Sequence, residues 1–136
     1  MNDQTHNEEQ NTLIETIALD DRLNLEIYDA SKFTAGDHWQ VVLLTRLEIP
    51  VEILYQQDSG NLPAADEIRG ALGDPLVYEH RYVLNFINKS NKQAVLDSLF
   101  QNFKNQIFPY VSKPGFPVSY AAKRYREYMK RKPYTG

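Results

Sequence analysis

The chain has 136 residues, of which 42% are hydrophobic and 24% charged, and its formal net charge is −3. This length and balance suit one globular domain with its own hydrophobic core. The absence of cysteine excludes disulfides, thiolate metal sites and a cysteine nucleophile.

Charge is divided unevenly along the sequence. Residues 1–80 carry sixteen acidic against four basic side chains, whereas residues 81–136 carry two acidic against eleven basic ones. Such asymmetry fits either an end that binds polyanions or two halves that satisfy one another, within one molecule or between copies. The second interpretation is favoured.

Residues 1–11 have neither a basic start nor an apolar stretch, so they do not resemble a signal peptide. Their polarity predicts a disordered segment. The longest aliphatic run, Val41 to Leu44, is far shorter than the roughly 20 residues that span a bilayer. We therefore expect a single α+β domain over residues 12–134, no membrane segment and a cytoplasmic location.

Alternation of apolar and polar side chains predicts strands in the first half. The first two are Thr12–Leu19 and Leu23–Tyr28, and a loop is expected over Asp29–Asp37. The third and longest, Trp39–Ile53, has one face that is apolar throughout and another that is apolar at its start and charged at its end. Because strand side chains alternate between faces, we expect one sheet face to be fully covered and the other in part. Pro50 indicates an edge, a bulge or a break in this strand.

A short helix should follow, with Pro63 in its first turn and Gly73 at its end. The fourth strand is predicted at Leu76–Ile87. Ser90 and Gln93 have the spacing of a capping box, which predicts a helix from Ser90 to about Phe108. Its apolar stripe should cover the apolar face of the long strand, and it comprises Leu96, Leu99, Phe100, Phe103 and Ile107. A last helix is predicted from Pro117 to about Lys130.

The order β-β-β-α-β-α-α predicts an α+β fold of two layers, with a mostly antiparallel sheet of about four strands and helices on one face. Parallel pairing of the fourth strand with the long one would oppose Arg46 to Glu79 and Glu48 to Arg81. However, the connection over residues 56–75 is near the lower limit for a crossover between parallel strands. Antiparallel pairing is therefore favoured.

The sequence contains no motif for catalysis, metal binding or a cofactor. His80 follows Glu79 directly, and neighbouring residues on a strand face opposite ways, so the two do not form a dyad. No His-x-His or Glu-x-x-His spacing occurs. A pocket around Tyr78, His80 and Tyr82, in a small enzyme or ligand-binding protein, is one hypothesis. The simpler interpretation places His80 between the two tyrosines as a half-buried polar aromatic side chain.

The last predicted helix combines aromatic and basic side chains. Its candidate binding residues are Tyr120, Lys123, Arg124, Arg126, Lys130 and Arg131. Such a surface can neutralise phosphates and stack bases, or it can lie against an acidic protein. It is also compatible with a docked helix whose cationic face is solvated. The leading hypothesis is a non-enzymatic binding domain that forms a homodimer or binds an acidic protein through this helix, and the alternative is a nucleic-acid-binding protein.

Overall fold

The computed structural model describes residues 11–56 and 59–132. Residues 1–10 of the segment predicted as disordered, and the last two residues of the predicted domain, lie outside these ranges. The strands are β1 Thr12–Ala18, β2 Asn24–Asp29, β3 Lys32–Ala35, β4 His38–Ile49 and β5 Leu76–Asn88, and the α-helices are α1 Ala65–Leu72, α2 Lys92–Gln106, α3 Phe108–Val111 and α4 Phe116–Arg131. Short 3-10 helices cover Val51–Tyr55 and Lys89–Asn91. The predicted α+β class with an antiparallel sheet is confirmed.

β4 is the strand around which the sheet is built, since it pairs with β2, β3 and β5. β1 adds to the outer side of β2 in antiparallel orientation. On one face of β4, Val41, Leu43 and Leu47 are inaccessible to solvent. On the other face Leu44 is buried but Glu48 is exposed. The predicted contrast between a fully covered and a partly covered face is therefore confirmed.

β3 was missed by the sequence pattern, which predicted only a loop over Asp29–Asp37. In the structure β2 and β3 pair with successive parts of β4 in one continuous register, with Asp29 opposite Leu43 and Lys32 opposite Gln40. Ser31 lies in the break between the two strands, and its hydroxyl accepts a hydrogen bond from the Val42 N–H at 3.0 Å. This buried side chain replaces a ladder carbonyl, so the pairing continues across the break.

The long strand ends earlier than its apolar pattern predicts. The pattern extends to Ile53, but β4 stops at Ile49 and the chain enters a 3-10 helix at Val51. Pro50 has no N–H to donate to a ladder and its φ of −59° suits the start of a helical turn. Its carbonyl accepts from the Ile53 N–H at 3.1 Å, which closes the first turn. The apolar residues of this stretch are buried by a helical turn rather than by a strand.

β5 runs antiparallel to β4, as favoured from the sequence. Arg46 forms an ion pair with Glu79 at 2.9 Å, and the Thr45 hydroxyl donates to the His80 carbonyl at 3.4 Å. Further along, the Gln40 amide donates to the Asn85 side chain at 2.9 Å. Residue numbers fall along β5 as they rise along β4, which fixes the direction. One of the two expected charge pairs, Arg46 with Glu79, is thus formed in the antiparallel arrangement.

The helix boundaries in the structure differ from the predicted ones at two prolines and at the predicted capping box. Pro63 lies before α1 instead of in its first turn, because α1 begins at Ala65. The capping box does not form, since Asn88 accepts a hydrogen bond from the Ser90 N–H and thereby starts a 3-10 turn. Pro109 lies inside the short helix α3, where it occupies a first-turn position that needs no N–H.

The described chain divides into two compact units, and the three divisions fall within β4, β5 and α3. Unit 1 contains the described residues up to Leu47 together with Glu79–Pro109, and unit 2 contains Glu48–Tyr78 together with the described residues from Tyr110 onward. The prediction of a single domain over residues 12–134 stays a prediction. Across residues 11–56 and 59–132, no helix has the length and apolarity needed to cross a membrane.

Helix α2 packs against the sheet within unit 1, and the more specific prediction that its apolar stripe covers β4 stays a prediction. The ring of Phe103 is fully buried and lies 6.5 Å from the ring of His80 on β5. At the start of the helix, the Lys92 ammonium lies 4.5 Å from the centre of the Trp39 ring and 3.4 Å from the Asp29 carboxylate. Both ends of the helix are therefore in contact with the strands.

In unit 2, α1 packs against α4, and Asp74 joins the end of α1 to the turn after β4. The Asp74 carboxylate accepts from the Val51 N–H at 3.1 Å and from the Arg69 guanidinium at 2.9 Å. The Val51 N–H, and after it the Arg69 guanidinium, lower the pKa of Asp74. Gly73 ends α1 with φ +87°, a conformation that glycine adopts without strain.

Candidate binding surface

Helix α4 carries all six candidate binding residues, and its buried side fixes which of them face solvent. Gly115 precedes the helix and Pro117 lies in its first turn, where a missing N–H costs nothing. Phe116 and Ala121 are buried. The Phe116 ring packs edge-on against the Tyr78 ring, with 5.1 Å between their centres. Side chains on the opposite side of the helix are left exposed.

Tyr120 and Arg124 are held inside unit 2 and do not form a free surface. The Tyr120 hydroxyl donates to the Val77 carbonyl at 2.8 Å and accepts from the Arg124 guanidinium at 2.8 Å. Arg124 also lies 3.8 Å from the Glu127 carboxylate, one turn further along the helix. In the structure both residues help to anchor α4, and their predicted role in binding a partner stays a prediction. The spacing of three between Arg124 and Glu127 was a signal available in the sequence.

The other tyrosines of α4 are likewise engaged within unit 2. The Tyr125 hydroxyl donates to the Glu67 carboxylate of α1, and this hydrogen bond raises the pKa of Tyr125. The Tyr125 and Tyr128 rings stack on one another with 6.2 Å between their centres. A shallow groove of about 270 Å³ lies beside them, with Gly70 and Met129 among its lining residues. These aromatic rings are therefore not presented as platforms for bases.

Three basic side chains form an exposed line on α4, which we name the cationic stripe: Lys123, Arg126 and Lys130. At about 100° per residue they lie within an arc of about 60°, and Arg131 lies beyond its edge. Within the described part of the chain, no carboxylate lies within ion-pair distance of these three cations. The stripe, with the exposed Arg131 beyond its edge, is the part of the predicted surface that stays available to a partner.

The three residues of the hypothetical pocket have different surroundings. His80 and Tyr82 are neighbours in unit 1, with ring centres 4.7 Å apart, and Phe103 fills the space above His80. Tyr78 lies in unit 2, where its ring packs against Phe116 and Tyr120. The Nδ1 atom of His80 is buried and has no hydrogen-bond partner among the described residues. Burial lowers the pKa of His80, because it disfavours the charged imidazolium.

This burial predicts an acid-dependent loss of stability. The unfolded chain takes up a proton at His80 more readily than the folded protein, so the free energy of unfolding should be highest above the unfolded pKa of about 6.5. It should fall as the pH drops through that value and level off below the folded pKa. Urea unfolding at several pH values between about 7.5 and 5 measures this. His80→Gln should reduce the dependence, whereas His38→Gln, at an exposed histidine of the neighbouring strand β4, should keep it. Equal profiles for both variants would contradict the assignment.

Neither metal-binding side chains in the described part of the chain nor similarity to known proteins points to a further functional site. In the ranges 11–56 and 59–132, no group of three or more histidine and carboxylate side chains is arranged to hold a metal ion. No protein-family model, no curated protein and no solved structure matches the chain.

Proposed function

We propose that this chain is a binding domain that holds an acidic surface of another protein on the cationic stripe of α4. The exposed line of Lys123, Arg126 and Lys130, with no carboxylate partner among the described residues, is the observation that carries the proposal. Cations spaced three and four residues apart along a helix face a partner together. They therefore suit a row of carboxylates on a second helix or an extended acidic segment.

An acidic protein fits this surface better than a single-stranded nucleic acid does. Sequence-tolerant binding of single strands combines phosphate contacts with exposed rings on which bases stack. Here Tyr120 and Tyr125 use their hydroxyls inside unit 2, and Tyr125 stacks on Tyr128. The stripe offers charge without stacking platforms. Binding of duplex DNA through phosphates alone is the competing outcome that the experiment must separate.

The expected affinity is modest, because exposed ion pairs contribute only about 0.2–1 kcal/mol each. Three such pairs do not hold a partner by charge alone. Met129 is 46% exposed and lies about 60° from Arg126 around the helix, so it adds apolar contact area at the border of the stripe. We expect binding that weakens clearly as salt rises, since exposed charges are screened over about 10 Å at 0.1 M salt.

Charge reversal of the stripe tests this proposal. The triple variant Lys123→Glu, Arg126→Glu and Lys130→Glu should lose at least about tenfold in affinity for an acidic peptide, since each attractive pair becomes repulsive. Fluorescence anisotropy with a labelled glutamate-rich peptide, at low and high salt, measures this. Far-UV circular dichroism shows whether the variant remains folded.

The matched control reverses three exposed lysines elsewhere, at Lys32, Lys89 and Lys113. It changes the net charge equally and should keep most of the affinity. An equal loss of affinity in both variants would show that only net charge matters, and this would overturn the proposal. The absence of peptide binding by the native protein at low salt would also overturn it. A labelled DNA duplex is titrated in parallel, and tighter binding of the duplex than of the peptide would favour the nucleic-acid alternative.

A further inference from the structure

The sequence of β5 is nearly symmetric about His80. From Leu76 to Leu84 it reads Leu-Val-Tyr-Glu-His-Arg-Tyr-Val-Leu. Leu-Val-Tyr stands at positions 76–78, and the same three residues follow in reverse order, Tyr-Val-Leu, at positions 82–84. The two residues that flank His80, Glu79 and Arg81, carry opposite charges. A strand of this kind is complementary to a second copy of itself in antiparallel orientation.

Among the described strands, β5 is hydrogen-bonded to β4 alone, so its outer edge has no strand partner. The Tyr120 hydroxyl of α4 reaches this strand only near its start, at the Val77 carbonyl. Val83 and Leu84 point to opposite faces of the sheet, yet each is 44% exposed, and Phe86 is 82% exposed. Exposure on both faces at once is typical of a strand with an uncovered edge. A long edge of this kind offers unpaired backbone groups to another strand.

We infer that two copies of this chain pair edge to edge through β5, antiparallel, about a two-fold axis at His80. In this register Glu79 lies opposite Arg81 of the second copy, and the symmetry repeats that pair. Tyr78 lies opposite Tyr82 and Val77 opposite Val83. The seam ends at these pairs, because Leu76 is only 2% exposed. Every pair joins either opposite charges or side chains of the same kind.

Charge complementarity also selects this register over its neighbours. A slip of two residues, the smallest that keeps side chains on their faces, puts Glu79 opposite Glu79 in one direction and Arg81 opposite Arg81 in the other. Like charges directly opposite one another on paired strands are destabilising. Charged residues on an edge strand ordinarily discourage pairing. In β5, Glu79 and Arg81 disfavour the two registers that are shifted by two residues. The register centred on His80 is the one that they favour.

The two charged residues are available for this contact. Arg81 is exposed and has no ion-pair partner among the described residues. Glu79 bonds to Arg46 through one carboxylate oxygen, at 2.9 Å, and its side chain keeps 36% of its surface exposed. A carboxylate can accept from two guanidinium groups, so Glu79 can join Arg46 of its own copy to Arg81 of the other.

This dimer can be tested with the full chain. Sedimentation velocity over a wide range of micromolar concentrations should show reversible dimerisation of the native protein. Arg81→Glu places two carboxylates opposite one another and should raise the dimer dissociation constant at least about tenfold. Lys89→Glu, an equal charge change just beyond β5, should leave it within about twofold. A native protein that stays monomeric throughout, or equal behaviour of the two variants, would overturn the inference.

A cysteine cross-link tests the register independently of affinity, because the native chain has no cysteine. At the two-fold axis, the Cα atoms of the two residues 80 would be about 4.5–5.5 Å apart, which suits a disulfide. His80→Cys should therefore give a covalent dimer on mild oxidation, and adding Arg81→Glu should suppress it. In Leu84→Cys the two thiols would lie several residues from one another. Equal cross-linking of both single variants would overturn the register.

This inference is independent of the cationic stripe on α4. The charge-reversed stripe variant should still form the β5 dimer, and Arg81→Glu should still bind the acidic peptide. Failure of either surface therefore does not remove the other.

Discussion

Replacement of Phe103 by alanine should destabilise the protein by about 3–5 kcal/mol, the range for large aromatic side chains removed from a core. Phe103 is fully buried on the inner side of α2, next to His80. Its loss removes the apolar area that holds α2 on the sheet and leaves a cavity that rigid strands cannot close completely. Urea unfolding, followed by circular dichroism and by tryptophan fluorescence from Trp39, measures the change.

A control variant separates burial from residue type. Phe33→Ala makes the same substitution in unit 1 at a ring that is 58% exposed. Its expected cost is about 1 kcal/mol, mainly from the edge-on contact with Trp39. If Phe103→Ala is too unstable to study, Phe103→Leu should show a smaller loss, of order 1–2 kcal/mol. A cost for Phe103→Ala no greater than that for Phe33→Ala would show that α2 is not held by this ring.

The second large effect is expected in unit 2, at Ile68. Helix α1 has eight residues, and helices shorter than about 12 residues are only marginally stable on their own. Ile68 is the fully buried residue of α1. Ile68→Ala should therefore cost about 2–5 kcal/mol, and α1 should open more readily than α2.

Hydrogen exchange resolves this second effect by segment. The amides of Ala65–Leu72 should exchange faster in Ile68→Ala, while those of Lys92–Gln106 should change less. Met129→Ala is the control in the same unit, since Met129 is 46% exposed and its replacement should shift the unfolding free energy by no more than about 0.5 kcal/mol. Uniform acceleration across both helices would contradict a local role for Ile68.

The sequence predicted well those elements whose side chains follow one clear periodic pattern along their whole length. β5 matches its predicted bounds to within one residue, and the apolar stripe of α2 has the spacing expected of a buried helix face. β3 has no such pattern, since it is four residues long and exposed along its length. β3 is held by its pairing with β4 and by the hydrogen bond of the Ser31 hydroxyl at the break before it. Side-chain alternation predicts neither of these.

The end of the long strand shows why apolar patterns do not fix secondary structure. Val51 and Ile53 continue the alternation of a strand, whereas Val51 and Leu54, which are both buried, have the spacing of a helical turn. Pro50 decides between the two, because a proline without an N–H cannot continue a ladder. From the sequence, Pro50 indicated an edge, a bulge or a break in the strand. The backbone conformation of the structure shows that it is a break.

For the binding surface, the sequence located the helix but did not separate its anchors from its free cations. Helical spacing assigns Tyr120 and Arg124 to one side, yet it does not reveal that the Val77 carbonyl accepts from Tyr120. That contact joins residues 43 positions apart. Long-range hydrogen bonds of this kind depend on the tertiary fold, and single-sequence patterns carry no information on them. The exposed stripe of Lys123, Arg126 and Lys130 is what remains once the anchors are assigned.

The two units are interleaved along the chain, and this has a consequence for synthesis. The segment Glu48–Tyr78 leaves the ribosome before the rest of unit 1 exists, and its apolar side chains must wait for Phe116 and Ala121. Unit 1 is complete only when Pro109 has emerged, and unit 2 later still. Domains ordinarily fold one after another from the N-terminus as they are made. Here each unit is built from two separate segments, so neither unit can be completed until its second segment has been synthesised.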